Sequence, residues 1–128
     1  MHRDFKQKIL DILSRCKEMT VATVRPDGAP QATVVSFVHD GFFLYFTCSA
    51  SSQKAANISC EPRVSVAMTA PYGRWSNIEG LSISAIAEQA DDAKEISEIG
   101  RLIRARFPQA SSFESAEWRD ISFFRLRP

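Results

Sequence analysis

Several runs of this chain alternate apolar and polar positions with a period of two, which is the pattern of half-buried strands. Turn chemistry separates the first runs: Pro26-Asp27-Gly28 follows the first run, and Asp40-Gly41 lies between the second and the third. The first three runs are therefore predicted to form an antiparallel meander. The six predicted strands cover residues 19–24, 31–39, 42–47, 63–70, 81–88 and 121–126.

Three stretches show helical spacing instead of alternation. One face of a predicted helix over residues 3–17 carries apolar residues at steps of four, four and three, namely Phe5, Ile9, Leu13 and Cys16. A loop of small polar residues leads into a short predicted helix that Pro62 closes. The third predicted helix follows Asp91-Asp92 and ends before Pro108, with an apolar face of Ile96, Ile99, Ile103 and Phe107.

The number and spacing of the strands predict the fold class. Six strands, most of them joined by hairpins and apolar on more than one face, indicate a mainly β fold, a closed or nearly closed six-stranded barrel with flanking helices. A barrel of this size fills its interior with side chains, so a large ligand would have to lie on the outside, in a groove completed by a second subunit. Residues 1–128 are predicted to form a single domain.

Charge and cysteine content narrow the possible partners and compartment. Sixteen Lys and Arg against fifteen Asp and Glu give a net charge of +1, which argues against nucleic acid or an anionic membrane as a partner. No apolar run approaches the roughly 20 residues that a membrane-spanning helix requires. Cys16, Cys48 and Cys60 are odd in number and form no Cys-x-x-Cys pair, which argues against a disulfide framework or a zinc site. We expect a soluble, unprocessed, cytoplasmic protein.

The segment from Thr47 to Lys54 is the best candidate for a binding site. It places several hydroxyl groups beside the start of the short predicted helix, where backbone N–H groups lack partners and favour an anion. Lys54 adds a full positive charge. The alternative is that Ser51 or Ser52 simply caps the helix and that Lys54 is a solvated surface residue.

Signals for catalysis by side chains are weak. The two histidines, His2 and His39, belong to different elements, which leaves little for a metal site or for general base chemistry. No serine is framed as Gly-x-Ser-x-Gly, and Cys48 is interpreted as a small hydrophobic residue. We therefore predict no catalytic side chain and no metal ligand.

The connection between the fourth and fifth predicted strands carries Tyr72, Arg74 and Trp75. These side chains could stack on a ring system or contact a second subunit. Tyrosine and tryptophan are also common anchors of ordinary interfaces, so both interpretations stay open.

Taken in order, these elements and the residues between them resemble the pyridoxamine 5′-phosphate oxidase-like family of FMN-binding split barrels. Residues 19–90 carry most of the resemblance. A Thr that ends a strand, a Lys and an Asn in the following helix, and then Pro-Arg-Val-Ser are jointly specific. The matching segments are Thr20–Val24, Pro26–Gly28, Pro30-Gln31, Phe42–Thr47, Ser52–Lys54, Asn57 and Glu61–Ser65.

The resemblance implies a homodimer with two FMN sites at its interface. The phosphate would lie where the third predicted strand meets the short helix, and the second predicted strand would run along the isoalloxazine ring, mostly through backbone groups. The residues implied for the phosphate are Thr47, Ser52, Gln53 and Lys54, and those implied for the ring are Thr33, Val34, Val35 and Phe46.

The function implied is that of an FMN-dependent oxidoreductase acting on an unidentified small molecule, with the flavin transferring hydride or electrons. The alternatives are a non-enzymatic flavin-binding or stress-related module and a deazaflavin-dependent reductase. Haem, which some related split barrels bind, suits this chain least because histidines are scarce. The true oxidases carry further C-terminal elements with basic residues, so vitamin B6 oxidation is not expected.

Overall fold

A computed structural model describes residues 3–109 and 120–128 as one antiparallel sheet with three α-helices. This confirms the mainly β, split-barrel fold class. The elements in chain order are α1 (Arg3–Arg15), β1 (Glu18–Val24), β2 (Pro30–Ser36), β3 (Val38–Asp40), β4 (Phe43–Ser49), α2 (Gln53–Cys60), β5 (Arg63–Thr69), a 3₁₀ turn (Trp75–Asn77), β6 (Gly80–Ala90), α3 (Ala93–Arg106) and β7 (Ile121–Arg127).

The strand order explains why the sheet curls. Seven strands lie in the order β2-β1-β5-β6-β7-β4-β3, and each neighbouring pair is antiparallel. The two edge strands, β2 and β3, follow one another in the chain and are joined by Phe37 alone. Because a single residue links the two edges, the sheet has to bend back on itself into a half-barrel.

The prediction of six strands was wrong by one. Residues 31–39 were expected to form one strand, whereas the structure divides them into β2 and β3 on either side of Phe37. Before Phe37 the chain pairs with β1, and after Phe37 it pairs with β4. The strand ends there because it changes its hydrogen-bonding neighbour.

The two predicted hairpin turns are confirmed. Gly28 has φ +90° and Gly41 has φ +60°, backbone angles that favour glycine. In the first turn the Gly28 N–H donates to the Arg25 carbonyl at 2.8 Å, and the Ala29 N–H donates to the Asp27 carboxylate at 3.0 Å. These bonds fix the register of β1 and β2.

The inward faces of the strands, together with α1 and α2, form the main core. Phe46 and Phe124 stack inside the half-barrel with ring centroids 5.4 Å apart. Leu13 of α1 and Cys16 just after it pack into this core with the partly buried Ile9, as their spacing predicted. Phe5, the fourth residue of the predicted apolar face, is instead 57% exposed in the first turns of the helix. From α2, Ile58 joins the core. Other fully buried side chains of the core are Phe37, Met19, Leu44, Leu126, Val21 and Val66.

Helix α3 covers the outer face of the sheet at the β3 and β4 end. The apolar face predicted for it is confirmed, because Ile96, Ile99, Ile103 and Phe107 form a second cluster with Val38, Tyr45, Ala90, Leu102 and Phe123. An ion pair between Arg125 of β7 and Glu95 of α3 fixes the helix on the sheet and raises the pKa of the Arg125 guanidinium.

The outer face of β2, β1, β5 and β6 carries small side chains. Val34, Thr20, Ala67 and Ser82 lie side by side across the four strands. A shallow groove on this face extends from Glu18 to Ser82. Among the residues that the structure describes, no helix is both long enough and apolar enough to cross a membrane.

Candidate functional site

A slit between β2 and β4 forms the candidate site. β2 is an edge strand that pairs only with β1, and β4 pairs with β3 only as far as Tyr45. The remainder of β4 lies alongside β2, although no backbone ladder joins the two strands. We call this opening the β2–β4 slit, bounded by Pro30–Ser36 on one side and Phe46–Ser49 on the other.

The β2 side of the slit offers free backbone groups. The Phe37 N–H donates to the Lys17 carbonyl at 3.2 Å, and the β1–β2 ladder continues from this pair in register. Because antiparallel pairing uses alternate residues, the backbone polar groups of Ala32, Val34 and Ser36 point away from β1. The central residue of β2, Val34, therefore presents one N–H donor and one C=O acceptor at the open edge.

The side chains of the predicted ring-binding segment face different ways. Val35 is buried in the core, whereas the outward-facing Val34 is 64% exposed. Thr33 lies opposite Val21 on the inward face, and its Oγ1 is buried without a hydrogen-bond partner among the described residues. A buried hydroxyl without a partner costs about 1–3 kcal/mol, so this position gains from any polar group that reaches it.

Phe46 and Thr47, on the β4 side, face opposite directions. Phe46 points inward and is almost fully buried, whereas Thr47 lies on the outer face, half-buried beside Phe107. The Lys54 Nζ lies 5.8 Å from the centre of the Phe46 ring, a cation–π contact between α2 and β4. Phe46 and Lys54 therefore meet at the slit, and Thr47 borders it from outside.

The start of α2 supplies unpaired donors. Ser52 is the N-cap, and its Oγ accepts from the Ala55 N–H at 3.2 Å and donates to the Cys48 Sγ at 3.5 Å. The capping role considered for Ser52 is thus real. The next two backbone N–H groups, of Gln53 and Lys54, have no hydrogen-bond partner within the described part of the chain. These N–H groups, at the positive end of the helix, favour an anion.

A buried amide connects α2 with the two strands beside it. Asn57 is 0% exposed, and its Nδ2 donates to Thr23 Oγ1 of β1 at 3.0 Å and to Gln31 Oε1 of β2 at 2.9 Å. The Gln53 Nε2 donates to the Asn57 Oδ1 at 2.8 Å. The side-chain amide of Gln53 is therefore engaged within α2, and it is the backbone N–H of this residue that stays available.

The predicted site residues thus fall into two groups across the slit. Thr33, Val34 and Val35 lie on β2, and Phe46, Thr47, Ser52, Gln53 and Lys54 lie on β4 and at the start of α2. The contact between Asn57 and Gln31 brings the two groups together. Sequence reasoning gave Asn57 no role of its own. The signal available was an amide residue next to Ile58 on the buried side of a short helix.

The remaining candidate groups lie elsewhere. Tyr72 and Trp75 are 50% and 87% exposed in the β5–β6 connection, which a hydrogen bond from the Ala70 N–H to the Glu79 carbonyl closes at its base. Within residues 3–109 and 120–128, no group of His, Cys, Asp and Glu side chains is arranged to hold a metal ion.

Solved structures similar to this chain share its fold. The heme binding protein from Mycobacterium smegmatis aligns with a TM-score of 0.83 at 19% identity, over 98% of this chain and 52% of that one. An F420 reductase aligns with a TM-score of 0.73 at 26% identity, over 92% of this chain and 90% of that one. Likeness at 19% identity shows the fold alone.

Two sequence comparisons identify the family. General stress protein 26 of Bacillus subtilis is 38% identical over 64 residues, which are 50% of this chain and 45% of that protein. The chain thus matches less than half of this relative's length. The sequence model of the pyridoxamine 5′-phosphate oxidase family matches residues 5–128. Because that match covers nearly the whole chain, this protein belongs to the pyridoxamine 5′-phosphate oxidase family.

Proposed function

We propose that this chain binds FMN in the β2–β4 slit and acts as a flavin-dependent oxidoreductase on a small molecule. The observation that carries the proposal is that backbone hydrogen-bonding groups without partners among the described residues face the slit from both sides. Gln53 and Lys54 present free N–H groups at the start of α2, and Val34 presents a free N–H and C=O on the edge of β2.

The start of α2 fits the phosphate group. The two N–H groups of Gln53 and Lys54 and the partial charge of the helix end favour a dianion, and the Lys54 ammonium adds a full charge. Thr47 lies on the outer face of β4 and borders the slit from that side. The Ser52 hydroxyl contributes as the cap that holds the first turn of the helix in shape.

The edge of β2 fits the ring system. A flavin ring carries alternating donors and acceptors along one side, and the free N–H and C=O of Val34 offer matching groups. The unpartnered Thr33 hydroxyl lies on the same strand. Bound flavin would supply hydride or electron transfer, while the chain orients the ring and holds the phosphate.

Two other functions have support of their own. General stress protein 26 matches half of this chain, which supports a stress-related flavin-binding module. The F420 reductase, at 26% identity over 92% of the chain, supports a deazaflavin-dependent reductase. Both alternatives use a phosphorylated flavin-like ligand, so the same anion site would serve them.

Absorbance spectroscopy of the purified protein tests the cofactor. Addition of FMN should give shifted flavin bands at one equivalent per chain, because ring contacts in the slit change the environment of the chromophore. NADPH under anaerobic conditions should then bleach these bands. Bound flavin that no nicotinamide reduces would favour the non-enzymatic module. Binding of deazaflavin with no binding of FMN would replace FMN as the cofactor.

We also propose that two copies of this chain form a homodimer through the outer face of β2, β1, β5 and β6. This face carries small side chains and the 64% exposed Val34, and the connection that joins β5 to β6 carries the exposed Trp75 and Ile78. Exposed aromatic and aliphatic side chains are common in protein–protein interfaces. Val34 belongs both to this face and to the slit, so a second copy would form part of the wall of each flavin site.

Light scattering at micromolar concentration tests the dimer. The wild-type protein should have twice the mass of one chain. Ala67→Arg, which places a charge in the centre of the face, should be monomeric and should bind FMN more weakly. Ser97→Arg on the exposed side of α3 is the matched control and should remain dimeric. A monomeric wild-type protein would contradict this proposal.

A further inference from the structure

The interior of α2 contains an amide where apolar packing alone would call for a hydrocarbon side chain. Asn57 is 0% exposed and lies next to Ile58, which packs into the main core. Burial of an amide without hydrogen bonds is costly, so its presence requires a full set of partners.

Asn57 has these partners on three different elements. Both hydrogens of its Nδ2 are used, one by Thr23 of β1 and one by Gln31 of β2, while its Oδ1 accepts from Gln53 of α2 itself. The orientation of the Asn57 amide group is fixed because both of its N–H donors are used. Rotation of the helix or a shift along its axis would break at least one bond.

Directional bonds position a helix more closely than apolar contacts do. Ile58 and Ala55 press α2 against the core, and contacts of this kind tolerate small shifts. A satisfied buried polar network resists them and specifies one arrangement. The location of the first turn of α2 relative to β2 therefore depends on Asn57.

We infer that Asn57 is a positioning residue that places the Gln53 and Lys54 N–H groups for the phosphate, so that the protein distinguishes FMN from riboflavin. The inference rests on the proposed flavin site. Asn57 lies one turn after these N–H groups and touches β2 through Gln31. Asn57 itself does not contact the ligand and acts through the geometry of the helix.

The test compares two ligands that differ only in the phosphate. Dissociation constants for FMN and riboflavin are measured by flavin fluorescence for wild type and Asn57→Leu. Loss of aligned charge-assisted hydrogen bonds should weaken FMN binding about tenfold, while riboflavin affinity should stay within about twofold. A general loss of stability would change both affinities together, so the ratio of the two is the informative quantity.

Ser122→Ala is the matched control. Ser122 is also a buried polar residue, 5% exposed, and its Oγ accepts a hydrogen bond from the Gln89 Nε2 at 3.4 Å. It lies opposite Cys48 in the β4–β7 ladder and therefore near the start of α2, but it has no hydrogen bond to Asn57 or its partners. This variant should leave the ratio of FMN to riboflavin affinity unchanged. Thr23→Val removes one of the three hydrogen bonds of Asn57 and should lower the ratio of FMN to riboflavin affinity by less than Asn57→Leu does. It replaces Asn57→Leu in the test if that variant does not fold.

Hydrogen exchange of the α2 amides provides a readout that needs no ligand. Removal of the network should speed exchange in residues 53–60, while exchange in β6 stays as in the wild type. Unchanged exchange in α2, or equal losses of FMN and riboflavin affinity in Asn57→Leu, would overturn the inference. Failure of the wild type to bind either flavin, with exchange altered as expected, would instead overturn the proposed function and leave Asn57 as a residue that positions α2.

Discussion

Lys54→Glu is expected to weaken FMN binding by about 3 kcal/mol, which corresponds to roughly a hundredfold in affinity. The substitution removes a cation beside the two free N–H groups of α2 and introduces a like charge against the phosphate. The stability of the ligand-free protein should change little. The lost cation–π contact with Phe46 costs about 0.5–1 kcal/mol, and a glutamate near the helix N-terminus regains about 0.3–1 kcal/mol.

Fluorescence titration with FMN measures the loss, and the chain offers a closely matched control. Lys94 is the second residue of α3, as Lys54 is the second residue of α2, and it is exposed. Lys94→Glu makes the same change of charge in the same helical position and should leave FMN affinity unaltered. Equal affinities of Lys54→Glu and wild type would contradict the phosphate assignment.

Phe46→Ala is expected to lower the free energy of unfolding by about 3–5 kcal/mol. Phe46 is 1% exposed and stacks on Phe124 inside the half-barrel, so truncation leaves a cavity and removes an aromatic contact. The Lys54 side chain also loses the ring on which it rests. Urea unfolding followed by circular dichroism measures the change.

Phe43→Ala is the control that separates the loss of core packing from a general effect of truncating an aromatic side chain on β4. Phe43 lies on the same strand but is 40% exposed. Its truncation should cost only about 1–2 kcal/mol, because part of the ring is already exposed to solvent and less buried apolar area is lost. Similar losses in the two variants would mean that Phe46 is not the packing centre that the structure indicates.

The pattern of the sequence was sufficient for most elements of the fold and failed where pairing changes. Within residues 31–37 the buried Val35 and Phe37 keep the same inward phase. Periodicity predicts which face of the sheet a residue occupies, but it does not predict which strands pair with the strand that contains the residue. The adjacent apolar residues Phe37 and Val38, which are buried in different clusters, mark the division, but the pattern does not show that the partner changes there from β1 to β4.

The candidate site was predictable in its residue types and less so in its contacts. The hydroxyls before α2 and the lysine in its first turn predicted a candidate anion site, because helix starts have a known chemistry. That Ser52 is used as a cap and that the Gln53 amide binds Asn57 depend on side-chain orientation, which residue order does not define. The link from Asn57 to Gln31 spans 26 positions, and only the folded barrel brings these residues together.

The covalent link at Phe37 holds the β2–β4 slit closed at one end, so the slit can open more easily at the other. At that end β2 and β4 cannot separate, because Phe37 joins β2 to β3 and β3 pairs with β4. The Arg106 guanidinium lies 5.2 Å from the centre of the Phe37 ring. At the other end β2 is tied to α2 through the hydrogen bond between Asn57 and Gln31. Because a hydrogen bond opens more easily than a covalent link, widening of the slit is expected beside α2, and the flat ligand proposed for the slit would enter and leave past the start of that helix.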